Sequence, residues 1–215
     1  AVTRYKQTKQ ILEGYQIIQD AKFMLDNNTL ILSAVKNGHS DIFVYKIAEQ
    51  TSEQITNDVY DDVDASFVAF PNKTGIIFSS NRPSAKASRA DTSIPSRNHF
   101  NIFLVDNWTK SEFRQITQLT NQKYGQARFP LQYNVNHFTF VSDASGIGNR
   151  YAGFFSTKKD GLDTIYKVGD EYLRNPVPKE LDSTLKAFKK TAPDSIGFIS
   201  ISNDSTYVFP ITNYE

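Results

Sequence analysis

The stretch "YDDVDAS", Tyr60 to Ser66, sets Asp61, Asp62 and Asp64 within four residues. Carboxylates at that density can hold a cation or a basic partner. The spacing is not that of an EF-hand loop, because the turn glycine and the distal glutamate are missing. The competing reading is a solvated loop that leads into a strand. Lys22 and Arg128 occupy matching places in two further stretches, "AKFML" and "ARFPL". Cations at equivalent positions would either line a channel or bond the backbone of a neighbouring element. These five residues are the candidate binding set. For catalysis the residues offer little. His39, His99 and His137 have no spacing that forms a metal site, no G-x-S-x-G elbow occurs, and no P-loop lysine follows "SDASGIG". The absence of cysteine removes thiolate chemistry and Cys-based zinc. The expectation is a non-enzymatic protein with no metal and no cofactor.

Composition narrows the partners. Formal net charge is +1, from 24 basic and 23 acidic residues, a balance that gives no reason to expect nucleic acid. No apolar run reaches the roughly eighteen residues of a transmembrane helix, so no direct membrane span is expected. The 16 phenylalanines and 11 tyrosines lean toward strands, because aromatic side chains fit a pleated surface.

A repeat would position the candidate residues. "AKFMLDNNTLILSAV" from Ala21, "SFVAFPNKTGIIFSSNR" from Ser66, "ARFPLQYNVNHFTFVSD" from Ala127 and "IGFISISNDSTYVFP" from Ile196 share one plan. Each is an apolar run, a turn and a second apolar run, which is hairpin grammar. Aligned on Phe23, Phe67, Phe129 and Phe198, each carries an asparagine five positions on: Asn28, Asn72, Asn134 and Asn203. Asparagine suits a tight turn. Two units continue in parallel. Asp41-Ile42-Phe43 matches Asn101-Ile102-Phe103, and Gln54-Ile55-Thr56 matches Gln115-Ile116-Thr117.

Four antiparallel strands per repeat of about 40–50 residues is the sign of a β-propeller blade. The predicted fold is all-β, a β-propeller of four-stranded antiparallel blades. About three and a half blades would lie on this chain, within a larger propeller of about six to eight. The units fall near residues 15–58, 59–121, 122–168 and 195–215, with insertions at 83–98 and 169–194. In the third unit, Asn149 to Phe155 is expected as the third strand and Asp163 to Val168 as the fourth. Within the second insertion, Leu181, Leu185 and Phe188 at helical spacing predict a short helix. Phe67 and Phe129 are expected to be buried between blades. The fourth unit is expected to supply two strands. It should pair with the N-terminal segment around Ile11 to Ile18, or abut polypeptide outside these residues.

The quoted residues resemble the TolB-type, WD40-like propeller repeat. Unit two matches through "DDVDASFVAFPNKTGIIFSSNR" and "FRQITQLT", unit one through "DIFVYKIAEQTSEQIT", and unit three through "FVSDASGIGNRY". The likeness covers Ala21 to about Phe155, and Asn72 stands where the family usually has aspartate. The resemblance implies a periplasmic or cell-envelope scaffold whose propeller face holds a protein partner, including the rest of its own propeller or a larger envelope complex. The same repeat caps serine peptidases of the prolyl-oligopeptidase type. The rival expectation is therefore a substrate-gating propeller of a hydrolase whose catalytic domain is elsewhere. Fold likeness carries function only by analogy.

Overall fold

Runs such as "TLILSAV" and "GIIFSS" are rich in β-branched and aromatic residues, which pack better on a pleated surface than on a helix. They fold as strands. The computed structural model describes residues 9, 11–71, 73–87, 99–106, 108–109 and 114–214, the side chains of 202–204 excepted. The chain is all-β, with 55% strand and 5% helix. Sheet one runs β1 (Ile17–Phe23), β2 (Thr29–Lys36), β3 (His39–Lys46) and β4 (Thr51–Gln54) in order. Sheet two repeats the order with β5 (Asp62–Phe70), β6 (Lys73–Ser80), β7 (Asn101–Asp106) and β8 (Gln115–Gln118). Sheet three opens with β9 (Ala127–Gln132), β10 (Phe138–Ser142) and β11 (Asn149–Val168). All the neighbouring pairs are antiparallel.

The middle strands are apolar on both faces, and alternate residues serve different cores. Between sheets one and two, Ile31, Ile42 and Val44 meet Ile76, Phe78 and Phe103. Between sheets two and three, Ile77, Ile102 and Leu104 meet Ala127, Phe138 and Phe140. The adjacent residues Ile76 and Ile77 thus fix sheet two to its two neighbours. Each such side chain contributes about 1.5–3 kcal/mol by leaving water. The outer face of sheet one, with Leu32, Phe43 and Tyr45, is covered by the segment before β1. Leu12 and Tyr15 pack there, the Tyr15 ring edge-on to Phe43 at 5.0 Å. Sheet three has no such cover among the described residues, and Leu131, Tyr207 and Phe209 of its outer face are exposed.

Sheet three departs from expectation. β11 runs unbroken from Asn149 to Val168, and β13 (Ser195–Pro210) pairs with it from Tyr151 opposite Pro210 to Lys167 opposite Ser195. The expected fourth unit is therefore a single strand and not a hairpin. Asn203 sits opposite Lys158, in mid-strand. Asparagine tolerates a turn without compelling one, and a long partner strand satisfies the same backbone groups. Asp163 to Val168 is the far end of β11, and the fourth strand of sheet three is the last part of β13. The insertion accordingly exceeds 169–194: β11 leaves the sheet after Phe155 and the chain returns opposite it at Thr206. Within it, β12 (Glu171–Arg174) pairs with the end of β11. The expected short helix is present as α1 (Pro178–Ala187), with a proline in its first turn. Phe188 rests on Gly169 so closely that a Cβ there would lie 2.4 Å from the ring. The N-terminal segment does not reach β13, because Gln16 bonds Val35 and Ile17 and Ile18 pair with β2.

One closure recurs in all three sheets. Thr56 Oγ1 accepts from the Ile42 N–H at 3.0 Å and donates to the Asp41 carboxyl at 3.3 Å. Thr120 does the same for Ile102 and Asn101, at 2.8 and 3.0 Å. Thr212 does it for Arg150 and Asn149, at 2.9 and 3.0 Å. The residue before each threonine, Ile55, Leu119 or Ile211, donates to the same carbonyl of the third strand.

This closure corrects two alignments. The partner of "QIT" at 54–56 is "QLT" at 118–120, since Phe43 faces Gln54 and Phe103 faces Gln118. Likewise Ser80 and Ser142, opposite Asn101 and Asn149, are equivalent, which matches Gln132 with Phe67 and Phe129 with Asp64. Phe67 is half-buried against the first core. Phe129 is 56% exposed, so its expected burial between sheets does not hold. The β9–β10 turn is three residues longer than the β5–β6 turn, and aligning on the phenylalanines hid that difference. Asn134 does bond its own turn, accepting from Asn136 and His137 at 2.9 Å each. Asn72 and most of the 83–98 insertion lie outside the described residues.

Candidate functional site

The first strands of sheets two and three carry an extra residue at the same place. The register slips between Val63 and Ser66 in β5, and between Arg128 and Leu131 in β9. Asp64 and Phe129 are both left-handed there, each with φ 57°. Aspartate tolerates that conformation, whereas a bulky side chain is strained by it. The bulge aims Asp64 at sheet three. Its carboxylate accepts from Arg128 Nε at 2.5 Å, Arg128 Nη2 at 3.1 Å and the Phe129 N–H at 3.2 Å. Burial works to raise the Asp64 pKa, but the Arg128 contacts hold it below the ordinary carboxylate value. Ala65, in the same bulge, faces the other way. Its N–H donates to Ser33 Oγ at 3.2 Å and its carbonyl accepts from Lys22 Nζ at 3.1 Å. One bulge therefore ties sheet two to both neighbours. Gln132 adds a second tie, its amide joining the N–H and carbonyl of Ala69 at 2.8 and 3.1 Å.

Behind the bulge lies a buried charge cluster. Arg82, 2% exposed, donates through Nη2 to Asp62 at 2.6 Å and Asp58 at 2.9 Å. Its guanidinium lies 5.5 Å from the Phe78 ring centre and 5.7 Å from that of Phe103, contacts that favour a cation. Burial raises the Asp62 carboxyl, and the Arg82 charge opposes that rise. Asp41 of sheet one completes the cluster at 2% exposure, with hydrogen bonds from Gln54 Nε2 and Thr56 Oγ1. Burial, then the nearby Asp62 and Asp58 charges, push its pKa up to about 7. The guanidinium bonds Asp62 and Asp58, while Asp41 takes its hydrogen bonds from the neutral Gln54 and Thr56 side chains.

Three of the five candidates bond across the seams between sheets, and Asp61 and Asp62 bond residues of their own sheet. Asp64 pairs with Arg128, and Lys22 caps the same bulge. Asp62 is buried against Arg82. Asp61 is half-buried beside Asn81, whose Oδ1 accepts its N–H at 2.8 Å. The acidic run is not an open cation loop, because Asp62 and Asp64 are 0% and 7% exposed and bond arginines of this chain. Among the described residues, no group of three or more His, Asp or Glu side chains is arranged to hold a metal.

Arg82, Asp58 and Asp41 escaped the sequence reading. Asp41 had a signal: it puts a charge where Asn101 and Asn149 put a neutral amide. Besides the seams, a cavity of about 470 Å³ opens between Phe70 and Pro71 of sheet two and His137, Phe154 and Phe155 of sheet three. His137 is positioned there by Asn134 Oδ1, 3.0 Å from Nδ1, and its ring lies edge-on to Phe154 at 5.5 Å. No protein-family model matches the chain, and no curated protein matches it.

Proposed function

We propose that the chain is a run of three consecutive β-propeller blades acting as a protein-binding scaffold of the bacterial cell envelope. The observation that carries this reading is the threefold recurrence of the Asx–threonine closure in sheets stacked face to face. A stack built that way leaves loops, edges and its last face for partners. The clustered charges serve the seams, and the exposed apolar side chains of sheet three are the surface on offer. The envelope assignment rests on the likeness of "GIIFSSNR" and "DIFVY" to the TolB-type repeat.

A photo-crosslinking residue at Tyr207, on the open face of sheet three, tests the scaffold role in cells that make the chain natively. A discrete protein adduct at Tyr207, absent when the same group replaces exposed Lys186, is the expected result. No adduct at Tyr207, or equal adducts at both sites, would overturn the scaffold role.

A further inference from the structure

β11 has two edges. β13 occupies one of them from Tyr151 to Lys167. β10 holds the other up to Gly153, and β12 holds it from Ile165 onward. Between them, no strand of the described residues lies along Phe154 to Asp163.

The groups on that open edge can be assigned. Arg150 turns its carbonyl and N–H toward the β13 side, to the Ile211 N–H and Thr212 Oγ1. Thr164 turns its pair to the opposite side, where the Asn175 N–H and Oδ1 take them at 2.9 and 2.8 Å. Successive residues alternate edges, and one register slip between Lys159 and Gly161 reconciles the two anchors. The backbone groups of Phe155, Lys159 and Leu162 therefore face the opening. At one end of it lies the cavity walled by Phe70, Pro71, His137, Phe154 and Phe155.

We propose that this opening is a strand-addition site. An extended segment of a partner protein lies along β11 between β10 and β12, pairs with its main chain, and seats an aromatic or large aliphatic side chain in the cavity. A strand is the occupant that fits, because strands already hold the same edge at both ends. Ten residues of β11 span about 33 Å, room for a strand of ordinary length. An open ladder of that length invites pairing, and main-chain addition with one side-chain pocket is a known recognition mode. The proposal rests on the protein-binding reading above and names where one partner segment docks.

Random decapeptides displayed on phage, selected on the full chain, test it. The Lys159 N–H takes no part in the β11–β13 ladder, so Lys159→Pro removes a donor from the open edge alone, and Lys159→Ala is its control. Selected peptides are expected to share an aromatic or aliphatic residue and to slow amide exchange at Phe155, Lys159 and Leu162. They should bind Lys159→Pro about tenfold more weakly than Lys159→Ala, and also lose affinity for Phe154→Ser in the cavity wall, a second variant should the proline distort the ribbon. Peptides that bind all variants equally and leave those amides unchanged sink the site and spare the scaffold role. Failure to enrich any peptide also overturns the site, and the Tyr207 cross-link then judges the scaffold role independently.

Discussion

Replacing Asp41 with asparagine isolates one strongly perturbed group in the seams. Its pKa, raised to about 7 from an ordinary 3.8, is a gap of roughly three units, and each unit is worth about 1.4 kcal/mol. The folded state keeps a proton that the unfolded chain releases above about pH 4. Stability linked to Asp41 is therefore complete below that pH and is lost as pH rises toward 7, by on the order of 4 kcal/mol. Asparagine should fit, since Asn101 and Asn149 make the same bond with Thr120 and Thr212. The Gln54 amide, which would lose its carboxylate acceptor, can turn to the Thr56 carbonyl, as its equivalent Gln118 donates to the Thr120 carbonyl in sheet two. Urea unfolding at pH 5 and pH 8 is the assay. The native chain should be markedly weaker at pH 8 than at pH 5, and Asp41→Asn should lose most of that difference and be the more stable protein at pH 8. An unchanged pH 5 to pH 8 difference in the variant would refute the assignment of the proton to Asp41.

Other substitutions test the seams and the register. Arg82→Met leaves Asp58 and Asp62 buried without their cation and should cost about 3–5 kcal/mol; Arg82→Met with Asp58→Asn and Asp62→Asn should recover much of it in urea titration. Phe138→Ala should cost about 3–5 kcal/mol, while Phe129→Ala, at an exposed and strained position, should cost under about 1 kcal/mol; similar losses would restore the alignment of Phe129 with Phe67. Thr212→Val leaves the Arg150 N–H and Asn149 without their shared hydroxyl, for about 1–3 kcal/mol. Hydrogen exchange should then quicken in the last part of β13 and not at Leu104 in β7.

The hairpins, the recurrence of the unit and the α1 helix were legible, because apolar runs, turn residues and helical spacing are local signals. The bulges were not. One residue added to a strand leaves no mark in composition, and its left-handed seat holds aspartate in one sheet and phenylalanine in the next. β13 was misread for a related reason: "SISNDSTYV" carries turn residues, and only the long partner strand across from it decides for extension. Among the site residues, Asp64 and Arg128 were each visible, but their pairing depends on sheets that are distant in the chain. Arg82 was hidden because burial of a cation follows from the acids around it.

The insertion in sheet three also sets an order of assembly. In sheets one and two the last strand follows closely, with Lys46 opposite Thr51 and Asp106 opposite Gln115. In sheet three Phe155 waits for Thr206, and closing a loop about ten times longer than the first costs about 2 kcal/mol more in chain entropy. The ribbon offers a way around that cost. Lys167 and Ser195 are much closer in sequence, so pairing can start beside α1 and zip toward the sheet, each rung shortening the next closure. On the ribosome the first two sheets can assemble while the third still has a vacant edge. The insertion then acts as the guide that brings the last strand home.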